Sequence, residues 1–456
     1  MEIVPTNKQR IIRTLRCKNR NVIGTLGKLI STMSGAGADI GMIKTYSMGE
    51  LYNVRDISIL ANDDTHLEAI LEVVSGLPNV TILQVIDDVL DWHIGGKIAV
   101  KPTYPVTNFE DMRKVYTPGV AQVCSMIKRD PEQAYNYTGL AKNVALITNG
   151  SRVLGLGNLG PVASMPVMEG KAALFAQFTG YNMFPIFLET RDPKKFIETV
   201  IEISSGFGAI QLEDIETPAC FEIEQELIKR IQKPVMHDDQ HGTAVVSLAA
   251  AINACRLTGF DLKDKVIGQI GLGAAGQSIA RLMHLYTHHD VYGCDVSPEA
   301  CQQFEAAGGK CGNLEHIMKT CDVVVATTGR RNLIKPEMIR KGQIILALSN
   351  PYPEINIQDA LDAGAAFASD GTRVNNILGY PGILKGAMDV RATKIVPEMY
   401  IAAAVAIAAS APDRELVPSA FDPRLHINVA HAVARAAVMA GVAIVHPDED
   451  YYFEKK

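Results

Sequence analysis

Phe207-Gly-Ala-Ile-Gln-Leu-Glu-Asp214 and Pro234-Val-Met-His-Asp-Asp239 bound the stretch of sequence that decides the fold. Each segment begins with a short apolar run and ends in two adjacent carboxylates. Such runs predict buried parallel strands, and the helical pattern of Glu222–Lys233 between them completes a strand–helix–strand unit. In units of this kind the carboxyl ends of the strands open into the ligand crevice. Both acidic pairs are therefore expected there.

The two acidic pairs, Glu213-Asp214 and Asp238-Asp239, would repel each other strongly at one sheet edge unless a cation lay between them. Ligand sets made only of oxygen atoms favour Mg²⁺ or Mn²⁺ over zinc. The alternative is that each pair separately caps a helix at its own strand-to-helix turn. The sequence therefore predicts a magnesium or manganese site, with two helix caps as the competing interpretation.

The composition is that of a globular protein of 456 residues, 47% hydrophobic and 21% charged, a length that predicts about three domains. The net charge of -6 argues against nucleic-acid or membrane-surface binding. No apolar run approaches the roughly 20 residues of a membrane span, and we expect a cytoplasmic protein. The eight cysteines include no Cys-x-x-Cys pair, so we interpret them as small buried side chains in a reducing compartment.

A dinucleotide-binding motif, Gly271-Leu-Gly-Ala-Ala-Gly276, follows the predicted strand Lys265–Ile270 and opens a predicted helix, Gln277–Leu285. The next strand, Val291–Cys294, ends in Asp295, at the spacing of the acid that binds the ribose hydroxyls. Because its charge would oppose a 2′-phosphate, Asp295 favours NAD, with NADP as the weaker cofactor. Two further strands, Asp322–Ala326 and Gln343–Leu348, complete a Rossmann sheet.

The ends of those two strands, Thr327-Thr-Gly329 and Ser349-Asn-Pro351, are expected to face the nicotinamide. An earlier glycine motif, Gly155-Leu-Gly-Asn-Leu-Gly160, has no acid at the required spacing, because Thr179 stands there. We therefore assign the nucleotide to the second motif. The predicted cofactor-binding residues are Gly271, Gly273, Ala274, Ala275, Gly276, Asp295, Thr328 and Asn350.

Residues 1–90 predict a small α+β unit in the order βαββαβ, which is ferredoxin-like. The predicted elements are strand Ile11–Cys17, helix Val22–Met33, strands Asp39–Met48 and Asn53–Leu60, helix Thr65–Ser75 and strand Val80–Ile86. With the loop Asn21-Val-Ile-Gly-Thr-Leu26, the unit resembles an ACT domain, which implies a small-molecule effector. That family usually has an acidic residue or Asn followed by Pro-Gly in the loop, whereas Ile23 precedes Gly24 here. A ferredoxin-like dimerisation module is the alternative.

Several motifs beyond residue 96 together resemble the malic enzyme family in its small bacterial form. They are Tyr116-Thr-Pro-Gly-Val120, Leu154-Gly-Leu-Gly-Asn-Leu-Gly160, Leu212-Glu-Asp214, His237-Asp-Asp-Gln-His-Gly-Thr243, Asn375-Asn376 and Tyr380-Pro-Gly382. The resemblance implies oxidation of L-malate with NAD(P) and a divalent metal, followed by decarboxylation to pyruvate and CO₂. A malolactic enzyme, which would retain NADH and release lactate, and a non-catalytic effector-binding regulator on the same scaffold are the alternatives.

The resemblance also implies roles for individual residues. Glu213, Asp214 and Asp239 match the metal ligands, Lys171 and Asp238 the groups that remove the malate hydroxyl proton, and Tyr116 the acid that protonates the enol carbon. Arg152 matches the residue that binds the substrate carboxylate, and Asn350 and Asn376 match amides that hold its other oxygens.

Physical chemistry supports several of these roles. An arginine suits a bidentate carboxylate contact better than a lysine. Lys171 must be neutral to accept a proton, which desolvation and a nearby cation would favour. Taken singly, each residue also has a structural alternative: Lys171 as an extended helix lysine, Arg152 as half of an ion pair, and Tyr116 as a core side chain.

The expected fold class is α/β, with a Rossmann-type NAD domain and an α/β catalytic domain preceded by a ferredoxin-like α+β domain. We predict an ACT-like domain over 1–90, a substrate and metal domain over 91–250, a Rossmann domain over 251–395 and C-terminal helices over 396–456 packing on both. The linker between the first two domains is Asp91–Thr107, with Gly95-Gly96 and two prolines. The expected assembly is a homodimer or homotetramer.

Overall fold

The computed structural model describes residues 10–153, 156–350 and 352–452. The chain forms two compact units, of which the first ends at Ala99 and the second begins at Val100. The predicted linker Asp91–Thr107 spans this division, although its first residues belong to a short helix, Asp88–His93.

The first unit is a four-stranded antiparallel sheet covered by two helices. Its elements are β1 (Ile11–Arg20), α1 (Thr25–Gly35), β2 (Asp39–Met48), β3 (Tyr52–Ala61), α2 (Asp64–Ser75), β4 (Val80–Ile86) and α3 (Asp88–His93). The strands lie in the order β2-β3-β1-β4. Leu15 and Ile57 alternate with more exposed residues along β1 and β3 and pack with Leu29 and Met33 of α1. The βαββαβ order predicted from the sequence is confirmed.

The second unit begins with a parallel sheet in the order β6-β5-β7-β8. Its strands are β5 (Asn143–Thr148), β6 (Asn182–Phe187), β7 (Ala209–Leu212) and β8 (Val235–His237). The accompanying helices are α4 (Phe109–Val115), α5 (Val120–Arg129), α6 (Ala134–Tyr137), α7 (Gly160–Thr179), α8 (Pro193–Ile203), α9 (Ala219–Arg230) and α10 (Asp238–Leu257). The predicted strand–helix–strand unit is present as β7, α9 and β8.

A six-stranded parallel sheet follows in the order β11-β10-β9-β12-β13-β14, which is the doubly wound dinucleotide order. Its strands are β9 (Ile267–Ile270), β10 (Val291–Cys294), β11 (Lys310–Cys311), β12 (Val323–Ala326), β13 (Ile344–Ala347) and β14 (Phe367–Asp370). Its helices are α11 (Ala274–Thr287), α12 (Pro298–Ala306), α13 (Leu314–Thr320) and α14 (Ile357–Asp362). The predicted Rossmann sheet is confirmed.

Three helices complete the second unit: α15 (Tyr380–Asp389), α16 (Pro397–Ser410) and α17 (Leu425–Met439). Helix α16 packs against α10 and α11, and α17 packs against α7 and α15. Among the helices of the described residues, none has the length and apolarity needed to cross a membrane.

Two of the cysteines lie next to each other: Cys301 in α12 and Cys311 in β11 have their Cα atoms 5.8 Å apart, because α12 packs back against β11. Cys294 and Cys321 are buried and free, as expected.

Candidate active site

The two acidic pairs meet at the carboxyl ends of β7 and β8. Glu213 and Asp214 follow β7, and Asp238 and Asp239 open α10 directly after β8. Carboxylate oxygens of Glu213, Asp214 and Asp239 all lie within 4.8 Å of one another. Asp239 Oδ2 accepts a hydrogen bond from the backbone N–H of Asp214 at 3.0 Å. The pairs therefore converge as predicted, and Asp239 faces the other pair rather than capping its own helix.

Burial and repulsion between carboxylates raise the pKa values of Glu213 and Asp214. Burial, and then the neighbouring Asp239, raise the pKa of Asp214 to about 7. Burial likewise raises the pKa of Glu213 well above its ordinary value, although Lys171 opposes the shift. Asp214 Oδ2 is buried without a hydrogen-bond partner among the described residues. A divalent cation fits this donor set, since it would satisfy that oxygen and offset the repulsion.

Lys171, in α7, joins the two acidic pairs. Its Nζ donates to Glu213 Oε1 at 2.5 Å and to Asp238 Oδ2 at 2.6 Å. Burial lowers the pKa of Lys171, but the carboxylates of Asp238 and Glu213 outweigh it and raise the pKa well above its ordinary value. Desolvation alone favours the neutral lysine, as expected, but two carboxylates within hydrogen-bond distance stabilise the ammonium. A neutral Lys171 beside a bound cation stays a prediction.

Tyr380 supports Lys171 from the other side of the site. Its hydroxyl donates to the backbone oxygen of Lys171 at 3.0 Å, and Lys171 Nζ lies 5.0 Å from the centre of its ring. Tyr380 stood in a recognised motif, but no role was predicted for it. The motif alone did not indicate it, because the contact joins residues in α7 and α15 that are 209 positions apart.

Asp238 is fully buried and held by a second donor, since its Oδ2 accepts from Asn376 Nδ2 at 2.6 Å. Gly242, in the next turn of α10, leaves the space for this carboxylate. A Cβ at Gly242 would lie 1.9 Å from Asp238 Oδ1 and 3.3 Å from the Cβ of Asn376. The glycine of the His-Asp-Asp-Gln-His-Gly-Thr motif thus admits both side chains.

A buried carboxylate behind the acidic pairs, Glu224 of α9, was not predicted. It accepts hydrogen bonds from the backbone N–H of His237 at 2.7 Å, from Gln240 Nε2 at 3.2 Å and from His241 Nε2 at 3.0 Å. The ring of His241 stacks on Tyr400 of α16 with centroids 4.6 Å apart. Glu224 therefore fixes the turn from β8 into α10. The sequence signal that could have indicated its burial is its position on the apolar face of α9.

Arg152 lies between the acidic pairs and the dinucleotide turn. Its backbone N–H donates to Asp214 O at 3.1 Å, and its Nη1 donates to Thr217 Oγ1 at 3.3 Å. The same Nη1 lies 4.0 Å from the position that a Cβ would take at Gly273. Because the side chain is exposed, the remaining guanidinium donors are open to a carboxylate ligand.

The glycine turn between β9 and α11 brings the predicted pyrophosphate-binding residues together. Gly271 and Gly273 precede the helix, and Ala274, Ala275 and Gly276 form its first turn. A Cβ at Gly276 would lie 1.8 Å from the carbonyl oxygen of Gly271, so the helix can start against the turn only with glycine there. Free N–H groups at such a helix start are suited to bind phosphate.

Asp295 directly follows β10, at the position predicted for the acid that binds the ribose. Its Oδ2 accepts from the backbone N–H of Leu272 at 2.6 Å, and its Oδ1 accepts from that of Ser297 at 2.9 Å. These two bonds orient the carboxylate beside the glycine turn, where the ribose is expected.

Thr328 follows β12 and Asn350 follows β13, so both lie at the carboxyl edge of the six-stranded sheet. Asn350 Nδ2 donates to the carbonyl oxygen of Gly371 at 3.0 Å. Pro351 of the second loop, and Leu154 and Gly155 of the earlier glycine motif, lie outside the described residues.

Tyr116 directly follows α4, and 66% of its surface is exposed. Within residues 10–153, 156–350 and 352–452, its hydroxyl forms no hydrogen bond with Lys171 or Asp238, whose partners are Glu213, Asn376 and each other. The alternative of a core tyrosine is therefore wrong.

Two protein-family models match parts of the chain. Residues 95–195 match the model of the malic enzyme N-terminal domain, and residues 228–342 match the NAD binding domain of D-isomer specific 2-hydroxyacid dehydrogenases. The chain is 48% identical over 434 residues to NAD-dependent malic enzyme 1 of Bacillus subtilis, covering 95% of this chain and 99% of that protein.

Two further similarities extend this result. The chain is 42% identical over 388 residues to the bifunctional malic/malolactic enzyme of Bacillus subtilis, covering 79% of this chain and 94% of that protein. The crystal structure of an NAD-dependent malic enzyme from Thermotoga maritima superimposes with a TM-score of 0.71 at 38% identity, covering 76% of this chain and 99% of that chain.

Proposed function

The chain belongs to the malic enzyme family, and from this we infer that it oxidises and decarboxylates L-malate to pyruvate and CO₂ while reducing NAD. The observation that carries this function is the contact of Lys171 with both acidic pairs at the carboxyl ends of β7 and β8. That cluster lies in the same compact unit as a complete dinucleotide turn. Metal dependence is general for the family.

We assign the metal to Glu213, Asp214 and Asp239, whose oxygens converge within 4.8 Å. A divalent cation, Mg²⁺ or Mn²⁺, supplies Lewis acidity to the malate hydroxyl and to the ketone that is decarboxylated, and its charge opposes the ammonium of Lys171. NAD supplies the acceptor for the hydride from C2 of malate, and NADP is expected to be the weaker cofactor because of Asp295.

Lys171 and Asp238 are proposed to act as one proton-accepting pair. Their atoms are 2.6 Å apart, so a proton taken from the malate hydroxyl can be shared between them. Asn376, bonded to the same Asp238 oxygen, keeps that carboxylate in place. The pair must return this proton when oxaloacetate is reduced in the reverse direction.

Arg152 and the amides of Asn350 and Asn376 are proposed to hold the substrate. The backbone of Arg152 is bonded to Asp214, and its guanidinium lies beside Thr217 and the glycine turn. It can therefore bind a malate carboxylate next to the nicotinamide. Asn376 already contacts Asp238, so substrate oxygens bound to it would approach the proton-accepting pair.

Tyr116 is proposed to protonate the enol carbon after CO₂ leaves, and to do so in a homo-oligomer, a dimer or tetramer. The tyrosine is exposed, and so are Phe109 and Val115 beside it. Exposed apolar side chains in one short segment are typical of an interface. We propose that a second copy of the chain covers this segment, which would place the tyrosine in the closed site.

For the first unit, we propose an ACT-like regulatory role, with a small-molecule effector at the loop Asn21–Leu26. The loop turns into α1 through Gly24, whose φ is 88°. Deletion of residues 1–90 should then change regulation or assembly while the core reaction is retained. The cytoplasmic location stays a prediction.

The function is tested by following malate-dependent NADH formation with and without a chelator. The expected result is metal-dependent, stoichiometric release of NADH and pyruvate. The malolactic alternative predicts lactate without net NADH. It is retained because one relative is named a bifunctional malic/malolactic enzyme. Binding of NAD without any turnover of malate would instead support the non-catalytic regulator.

A further inference from the structure

Glu354 is a fully buried glutamate in the connection between β13 and α14. Its Oε1 accepts three hydrogen bonds: from the backbone N–H of Thr328 at 2.7 Å, from Thr328 Oγ1 at 2.8 Å and from Ser349 Oγ at 2.6 Å. These donors belong to the loops that follow β12 and β13. One carboxylate oxygen therefore joins two strand-end loops of the six-stranded sheet.

Both hydroxyls that donate to Glu354 also accept a bond from their own neighbourhood. Ser349 Oγ accepts from the backbone N–H of Gly329 at 2.8 Å, and Thr328 Oγ1 accepts from that of Arg330 at 3.1 Å. The donors and acceptors form a closed network across the two loops. Bonds to an ionised carboxylate are stronger than neutral ones, so the charge of Glu354 matters for the rigidity of this network.

The same loops are packed tightly against the dinucleotide turn. A Cβ at Gly271 would lie 2.9 Å from the carbonyl oxygen of Thr327 and 3.0 Å from Thr328 Cγ2. There is therefore no room for even one added carbon between Gly271 and Thr328, and we expect a shift of Thr328 to alter the space beside the glycine turn. On the other side, Ser349 directly precedes Asn350, whose amide is tied to Gly371. Glu354 thus acts on cofactor-binding and substrate-binding residues together.

We propose that Glu354 is a positioning residue for hydride transfer, holding the loops around Thr328 and Ser349 at the spacing that the nicotinamide requires. The inference rests on the proposed function, since it takes these loops as the nicotinamide site. Glu354 itself is buried behind both loops and is not proposed to touch substrate. Its other oxygen, Oε2, is buried without a partner among the described residues, so a neutral amide in its place would bury two unpaired N–H donors.

The test compares Glu354→Gln with Asp389→Asn, a matched control in another buried carboxylate. Asp389 accepts from Tyr451, Lys385 and Tyr181 near the C-terminal helices, and none of these three donors belongs to either loop. For Glu354→Gln we expect malate oxidation to lose about 10- to 100-fold in kcat/KM for NAD, the worth of one charged hydrogen bond. NADH binding, followed by its fluorescence, should weaken by a similar factor. Metal-dependent decarboxylation of added oxaloacetate, which needs no hydride transfer, should stay within about twofold.

Asp389→Asn should lower the melting temperature at least as much as Glu354→Gln does, while its NADH affinity stays at the wild-type value. Wild-type NADH affinity and kcat/KM in Glu354→Gln would overturn the proposal. So would equal losses of oxaloacetate decarboxylation and malate oxidation, which indicate general damage. If Glu354→Gln does not fold, Ser349→Ala removes one donor and decides by the same readouts. Wild-type protein without malate-dependent NADH formation would sink the proposed function, whereas the NADH-binding comparison would still test Glu354.

Discussion

Replacing Gly242 by alanine tests how closely the Asp238 carboxylate is fitted into the site. The new Cβ would lie 1.9 Å from Asp238 Oδ1, whereas ordinary contact begins at 3.4 Å, so the carboxylate or the helix must move by about 1.5 Å. This shift would break the 2.6 Å contacts of Asp238 with Lys171 and Asn376. Misplacement of reacting groups by about 1 Å costs roughly 100-fold in rate. We therefore expect kcat for malate oxidation to fall by at least that factor.

The assay combines initial rates of NADH formation with thermal unfolding. Gly206→Ala is the control, because a Cβ there meets nothing within 4 Å, and it should keep wild-type kcat. Where space allows, alanine in place of a helical glycine stabilises by about 1 kcal/mol. A Gly242→Ala protein that melts higher than wild type and retains its kcat would refute the reasoning, because the carboxylate would then have room.

Four other measurements address the remaining assignments. Tyr116→Phe should lower malate oxidation and pyruvate reduction by about 10²–10⁴-fold but spare oxaloacetate reduction, whereas Lys171→Ala should impair oxaloacetate reduction as well; equal losses in Tyr116→Phe would exclude the enol-carbon role. Asp239→Ala should abolish turnover at ordinary metal concentration, with partial rescue by excess Mn²⁺, and full activity would show that the metal is misassigned. Asp295→Ala should lower the ratio of kcat/KM for NAD to kcat/KM for NADP, and an unchanged ratio would show that Asp295 does not determine cofactor choice. Because the pKa of Asp214 is raised from 3.8 to about 7, the folded protein binds more protons than the unfolded chain between these values. The free energy of unfolding of chelator-treated protein should therefore fall as pH rises from about 4 to 7. Added Mg²⁺ should abolish the fall, and a melting temperature independent of both pH and Mg²⁺ would contradict it.

Several strands of the second unit were predictable because they are buried on both faces. The runs that became β12 and β13 are continuous and apolar, and the structure buries every residue of each strand, as parallel strands require. In contrast, β11 has two residues and β14 is only half-buried. Neither contains an apolar run that distinguishes it from a loop, so both were missed.

Within the site, residue types were predictable and their interactions were not. The acidic pairs and the glycine turn are each local in sequence, so their spacing carries the information. Glu224 and Glu354 act on partners 13 to 17 and 5 to 26 residues away, and a buried glutamate looks like a surface one in a single sequence. The charge of Lys171 depends on two distances that only the fold sets.

Helix α10 limits how this chain can be recombined with its relatives. It starts with Asp238 and Asp239 and runs to Leu257, and most of its side chains are buried. A crossover between residues 250 and 251 would join two parental half-helices inside that packed interior. A chimera intended to exchange cofactor preference while keeping the metal turn must instead cross over between Leu257 and Ile267, where β9 begins. In such a chimera the whole of α10 comes from the same parent as the metal-binding turn, and the six-stranded nucleotide sheet comes from the other parent.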